Sequence, residues 1–191
     1  MGQGGEGNRH ARRLIWSIGH GSRSIEEFVG LLEEAAIECL VDVRAFPASR
    51  RHPQFARASL ESSLTAAGIR YVREGTALGG RRKPEANSPH VALRNPGFRA
   101  YAGHMASEEF RQALDRLAAT GDGGRTAIMC AERLPWRCHR YLIADSLVVR
   151  GVRVLHVVGP GQIKEHALNR LARSDHGTLV YDAGEQPPLG L

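Results

Sequence analysis

The chain has 191 residues, 42% hydrophobic and 24% charged, a size and balance that suit one globular domain and argue against two full domains or global disorder. Its three cysteines (Cys39, Cys130 and Cys138) are too few and odd in number for a disulfide framework, which points to a reducing, cytoplasmic setting. No apolar run approaches the ~20 residues of a membrane helix, residues 1–13 lack the apolar stretch of a signal peptide, and the net charge of +6 favours a polyanionic partner. Of the 26 basic residues only Lys83 and Lys164 are lysines, and arginine is the side chain suited to bidentate phosphate binding.

In chain order, residues 1–13 read as a basic disordered tail and 14–18 as a buried first strand. Ser24 with Glu27 forms a capping box that starts a helix striped by Ile25, Phe28, Val29, Leu31 and Leu32. A second strand is expected over 39–43, an irregular loop over 44–57, a helix over 58–67 stopped by Gly68, and a third strand over 69–72. Residues 73–97 read as one long loop, and loops of that length are usually functional or disordered. Helices follow over 98–105 and 108–119, a fourth strand over 126–129, a helix over 138–149, a fifth strand over 152–158 and a helix over 163–171. Residues 14–175 thus form a single α/β domain, followed by a C-terminal tail over 176–191. The sheet should be mostly parallel, five-stranded or slightly larger, with helices on both faces. Ligands of such folds bind outside the carboxyl ends of the strands. The loops that begin at Gly19, Arg44, Arg73, Cys130 and Gly159 should therefore share one edge.

Those loops hold the candidate chemistry. In Cys130-Ala131-Glu132-Arg133-Leu134-Pro135-Trp136-Arg137-Cys138-His139-Arg140, a cysteine closes a buried strand just before a helix start. Helix-start N–H groups attract anions and lower the pKa of a nearby thiol, and Arg133, Arg137 and Arg140 add to both effects. Cys130 is then a candidate nucleophile with Glu132 as its base, or else a small buried strand residue. A zinc site from Cys130, Cys138 and His139 fits poorly. On a helix, residues 138 and 139 would point about 100° apart, the spacing matches no common zinc motif, and no fourth ligand is evident. Neither a metal nor another cofactor is expected. A Cys130–Cys138 redox pair lacks the Cys-x-x-Cys spacing.

In the second segment Asp42 and Arg44, two apart, face the same side of a strand end. Either they pair with each other, since an unpaired buried charge is costly, or Asp42 acts as a base. Arg44, Arg50, Arg51 and Arg57 crowd residues 44–57 without an acid, interleaved with Phe46 and Phe55. That combination suits phosphate contact and base stacking. His20, between Gly19 and Gly21, is a candidate for proton transfer. The Gly79-Gly80-Arg81-Arg82-Lys83 turn offers further anion contacts, and Arg137, His139 and Arg140 are further phosphate-binding candidates. Tyr101 either lines the pocket or packs. His156, within a strand, reads as a core histidine.

The series Ser17-Ile18-Gly19-His20-Gly21-Ser22-Arg23-Ser24, Leu40-Val41-Asp42-Val43-Arg44, Pro53-Gln54-Phe55 and Gly68-Ile69-Arg70-Tyr71-Val72 continues with Leu78-Gly79-Gly80-Arg81, Phe98-Arg99-Ala100-Tyr101, Met129-Cys130-Ala131-Glu132 and Cys138-His139-Arg140. It resembles the bacterial domain-of-unknown-function 488 family, from about Leu14 to Val158. The resemblance implies a cytoplasmic α/β protein and brings no activity with it. A weaker similarity is to rhodanese-like domains, which share the Asp-Val-Arg strand end and the cysteine-loop-helix order. Their loop closes on an arginine six positions after the cysteine, whereas here position 136 is Trp and Arg137 comes one step later. The sequence reading favours an enzyme acting on nucleic acid, DNA first, by base or glycosidic-bond chemistry. Its alternatives are a Cys130-dependent sulfurtransferase or phosphatase-like enzyme, and a non-catalytic binding module for a nucleotide or another phosphate-bearing small molecule.

Overall fold

A computed structural model describes residues 13–48, 50–175 and 178–182. Five parallel strands form the heart of the fold: β1 (Leu14–Gly19), β2 (Cys39–Asp42), β3 (Arg70–Arg73), β4 (Thr126–Cys130) and β5 (Arg153–Gly159). A sixth, β6 (Gln162–Glu165), pairs antiparallel with β5, and the order across the sheet is β3-β2-β4-β1-β5-β6. Successive strand side chains point to opposite faces. Trp16, Ile18, Leu40 and Met129 therefore pack with Phe28 and Leu32 of α1 (Ile25–Glu34) and Leu60 and Leu64 of α2 (Arg57–Ala66). Ile15, Val41, Ile128 and Val154 face the other way. They meet Tyr101 of α4 (Pro96–His104), Phe110 and Leu114 of α5 (Glu108–Asp122) and Leu142 of α6 (Arg140–Val148). Local signals set the helix starts: Ser24 Oγ accepts from Glu27 N at 3.2 Å, and the Glu27 carboxylate accepts from Ser24 N at 3.0 Å. Among the described residues no helix is long and apolar enough to cross a membrane.

Because the five strands are parallel, their carboxyl ends share one edge. Gly19 lies level with Cys130, and Asp42 with Met129. The expected common rim is therefore present.

The structure departs from expectation in three places. The segment expected as a helix over 163–171 instead holds β6 and a loop. Gly161, at φ 62°, turns the chain back on β5, so Ile163 and Lys164 enter a ladder rather than a helix. The long loop over 73–97 contains a short helix, α3 (Gly75–Leu78). Beyond residue 175, within the stretch read as a tail, β8 (Thr178–Tyr181) pairs with β7 (Ala172–Asp175). Tyr181 is fully buried and donates to Asp145 Oδ2 at 2.9 Å. Residues 1–12 and Gln186-Pro187-Pro188 lie outside the described residues.

Asp145 anchors this end of the fold. His166 Nε2 and the Asn169 backbone N–H meet its Oδ1 at 2.8 and 2.9 Å, and His166 Nδ1 lies 2.9 Å from His156 Nε2. His156 is thus a buried histidine bonded through one nitrogen. Tyr181→Phe strands a buried carboxylate oxygen and should lower stability by about 1–3 kcal/mol. Urea unfolding checks this, and an unchanged midpoint contradicts the anchoring role.

Candidate functional site

A cleft of about 840 Å³ opens at the carboxyl edge. Its walls come from the loops after β1, β2 and β4, from Gly80 and Arg81, and from the start of α4. Arg44, Arg51, Arg81, Arg133 and Arg137 line it among the described residues, with Glu132 as the acid beside them. Phe46 is 67% exposed at the rim, and the Arg81 guanidinium sits 5.4 Å from its ring centre.

Two thiols and an imidazole form the floor. Pro135 starts a 3₁₀ turn (Pro135–Arg137), the Cys138 N–H bonds back to Pro135 O at 2.9 Å, and Cys138 is extended at φ −132°, ψ 148°. Cys138 therefore precedes the helix, which begins at Arg140 after His139 as its cap. The expected divergence of residues 138 and 139 assumed helical backbone and does not occur. His139 Nδ1 lies 3.6 Å from Cys138 Sγ and 3.8 Å from Cys130 Sγ. Its Nε2 meets the Val43 carbonyl at 3.1 Å, and a carbonyl only accepts. In the neutral ring Nε2 therefore carries the proton, and the Nδ1 lone pair faces both sulfurs.

The two thiols divide their roles. The hydrogen bond to Cys138 and burial push Cys130 up. Burial also works against a Cys138 thiolate, but the hydrogen bond from Cys130 and the Arg140 charge pull Cys138 well down. The stronger pull toward ionisation therefore falls on Cys138 rather than on Cys130, the thiol that the sequence reading singled out.

Asp42 is fully buried and fully engaged. It accepts from Arg44 Nε at 2.9 Å, Arg44 Nη2 at 2.6 Å, the Arg44 backbone N–H at 2.9 Å and Tyr71 OH at 2.8 Å. Arg44 Nη1 donates to Phe55 O at 2.8 Å. The pair bolts the β2 end to the following loop, and no Asp42 oxygen is left to act as a base. Burial and the Asp42 charge push the Tyr71 hydroxyl up.

His20 does reach the cleft. Its ring stacks on Phe55 at 4.1 Å, Nδ1 meets Gly21 O at 2.9 Å, and the buried Nε2 has no hydrogen-bond partner among the described residues. Burial lowers its pKa to about 4, despite the opposing Gly21 bond. The ring is neutral at pH 7 and presents a bare nitrogen.

Several expected ligand contacts prove structural. Arg140 is fully buried; Nη1 donates to Ser17 Oγ at 2.8 Å and Nη2 to the Glu132 carbonyl, so it cannot grip phosphate. Arg82 spends its guanidinium on the carbonyls of Thr76, Ala77 and Gly79. Arg50 is exposed but outside the cleft lining. Phe55 and Tyr101 are buried: Phe55 under His20, and Tyr101 under His139 with its hydroxyl on Leu78 O at 2.8 Å. Conversely, His52, Asn95 and Phe98 line the cleft without having been singled out as site residues. Asn95-Pro96 carried a readable signal, a side-chain cap followed by proline at the first helical position; Asn95 Oδ1 accepts from Gly97 N at 2.8 Å.

Two glycines permit the close approach of neighbouring loops. A Cβ on Gly19 would sit 1.8 Å from the Glu132 carbonyl oxygen, and one on Gly80 would sit 2.5 Å from His139 Nδ1. Gly80→Ala should therefore push the imidazole off the sulfurs and cost about 1–3 kcal/mol by overpacking. Urea unfolding reads the cost, and an unchanged midpoint contradicts the packing.

His20, at about 4, and His156, lowered to about 3 chiefly by burial, both lie below the ordinary 6.5. The unfolded chain takes up these protons at higher pH than the folded chain. Their stabilisation is therefore complete above pH 6.5 and is lost toward pH 4 and then pH 3, at about 1.4 kcal/mol per pH unit for each histidine. Urea midpoints measured from pH 7.5 to 5 should fall; a flat profile contradicts the neutral burial of both rings.

No curated protein and no solved structure matches the chain. The sequence model of the family described as Domain of unknown function DUF488 matches residues 24–147, well over half the length, from the α1 cap through the Cys138-His139-Arg140 element into α6. The chain belongs to the DUF488 family.

Proposed function

We propose that the protein is an enzyme acting on nucleic acid, with one nucleotide seated in the cleft and its base turned toward the thiol–imidazole floor. The observation that carries this reading is the lining: five arginines and one exposed aromatic ring around a single open cleft. Arg51, Arg81, Arg133 and Arg137 supply phosphate contacts that position a strand, and Phe46 supplies a face on which a base stacks. The cleft volume of about 840 Å³ lies within the range of ligand sites and leaves room for a nucleotide turned out of its stack. Glu132 at the rim moves protons, and the neutral His20 contributes to the cleft wall. Asp42 has no part in this chemistry, because Arg44 and Tyr71 occupy it.

A second reading, a thiol enzyme, draws on the downward pull on the Cys138 thiol pKa. It requires alkylation of Cys138 that proceeds unchanged as pH falls well below the ordinary thiol range.

Binding of a fluorescent DNA oligonucleotide, and of its RNA counterpart, tests the first reading. Affinity should fall steeply with salt, and Arg81→Ala or Arg137→Ala should each reduce the salt slope by about 1. Absent or salt-insensitive binding overturns the proposal.

A further inference from the structure

The floor cluster is more than the hydrogen bonding of two thiols requires. A neutral imidazole offers one in-plane lone pair at Nδ1, which serves one thiol well and two poorly. Here one nitrogen stands near both sulfurs, at 3.6 and 3.8 Å, and all three donor atoms lie within 4.8 Å of one another. A tetrahedral zinc ion with bonds of about 2.3 Å to sulfur and 2.0–2.1 Å to nitrogen would set each S···N edge at about 3.6 Å. The cluster already has those edges.

Three further observations agree. The His139 Nε2 bond to Val43 O fixes the ring and turns the free nitrogen inward, the outer-shell arrangement that orients a metal-bound histidine. Gly80 approaches Nδ1 so closely that a side chain there would fill the space beside it. All three residues line the cleft, so a position opposite them opens to it.

We propose that Cys130, Cys138 and His139 bind one zinc-class divalent cation, with its fourth position open to the arginine-lined cleft. Two soft sulfurs and an imidazole select zinc over magnesium or calcium. Three protein ligands plus an open position is the pattern of a catalytic rather than a structural zinc. Resting on the nucleic-acid reading, the site also gains a nucleophile: bound water loses its proton near neutral pH, Glu132 takes that proton, and the remaining hydroxide faces the base.

The test uses the full chain, reduced and stripped with a chelator. Cobalt(II) should bind at one ion per chain, with a near-ultraviolet sulfur-to-cobalt band and the visible bands of four-coordination, and zinc should displace it. Cys138→Ser and His139→Gln should each weaken uptake at least ~10-fold, while Cys39→Ser, remote from the cleft, leaves the bands intact. These positions are buried, so X-ray absorption on the zinc-loaded wild-type chain provides a reading without substitution, with two sulfur and one nitrogen scatterers expected. No uptake by folded, reduced protein overturns the proposal, as does a shell of nitrogen and oxygen alone or uptake that survives loss of Cys138. Oligonucleotide affinity of the zinc-free chain is measured separately. Metal uptake without oligonucleotide binding retains the cation site and removes the nucleic-acid reading; the reverse removes only the cation.

Discussion

A guanidinium with no exposed surface holds the site together. Arg140 leaves the start of α6, crosses beneath the β4 loop and bonds both Ser17 on β1 and the Glu132 carbonyl just past Cys130. Burying such a charge is costly unless something nearby answers it. Ser17 Oγ and the Glu132 carbonyl answer it with hydrogen bonds, and the Arg140 charge in turn draws the Cys138 thiol pKa down. One buried cation thereby fixes the loop backbone that carries Glu132 and favours the thiolate form of the neighbouring cysteine. The contact of Gly19 with the Glu132 carbonyl works in the same direction, because only a residue without a side chain lets β1 come so near.

The architecture was largely written in alternation and caps. Strand-like runs separated by helical stripes implied a parallel sheet, and parallelism brought the ends of β1, β2 and β4 to one rim. Ser24 and Glu27 marked the start of α1 correctly. What stayed hidden was which polar residue faces inward. Arg137 and Arg140 stand three apart in one arginine-rich stretch, yet the 3₁₀ turn exposes the first and the helix start buries the second. Asp42 and Arg44 were readable as neighbours, but their mutual saturation depends on Tyr71 and Phe55, which arrive from other parts of the chain. The thiol–imidazole floor was set aside because the helix was extended two residues too far toward its start, over Cys138 and His139.

The cleft and the far end of the domain are linked through α6. Arg140 opens that helix facing the β4 loop. Asp145, five residues on, gathers His166, Asn169 and Tyr181. One helix therefore serves two buried polar centres, one behind the candidate site and one that ties the β7–β8 hairpin to the sheet. The match to the family ends within this helix, so the hairpin anchor lies mostly beyond the shared region.

The sheet also has two margins. At one, β3 presents exposed Arg70 and Arg73; at the other, all four residues of β6 are exposed, and Glu165 reaches back to Arg153 at 2.8 Å. An incoming strand from a second copy would have to strip water from these charges before making any ladder bond. The fold thereby discourages edge-to-edge polymerisation while leaving its open face, the arginine rim, free for ligands.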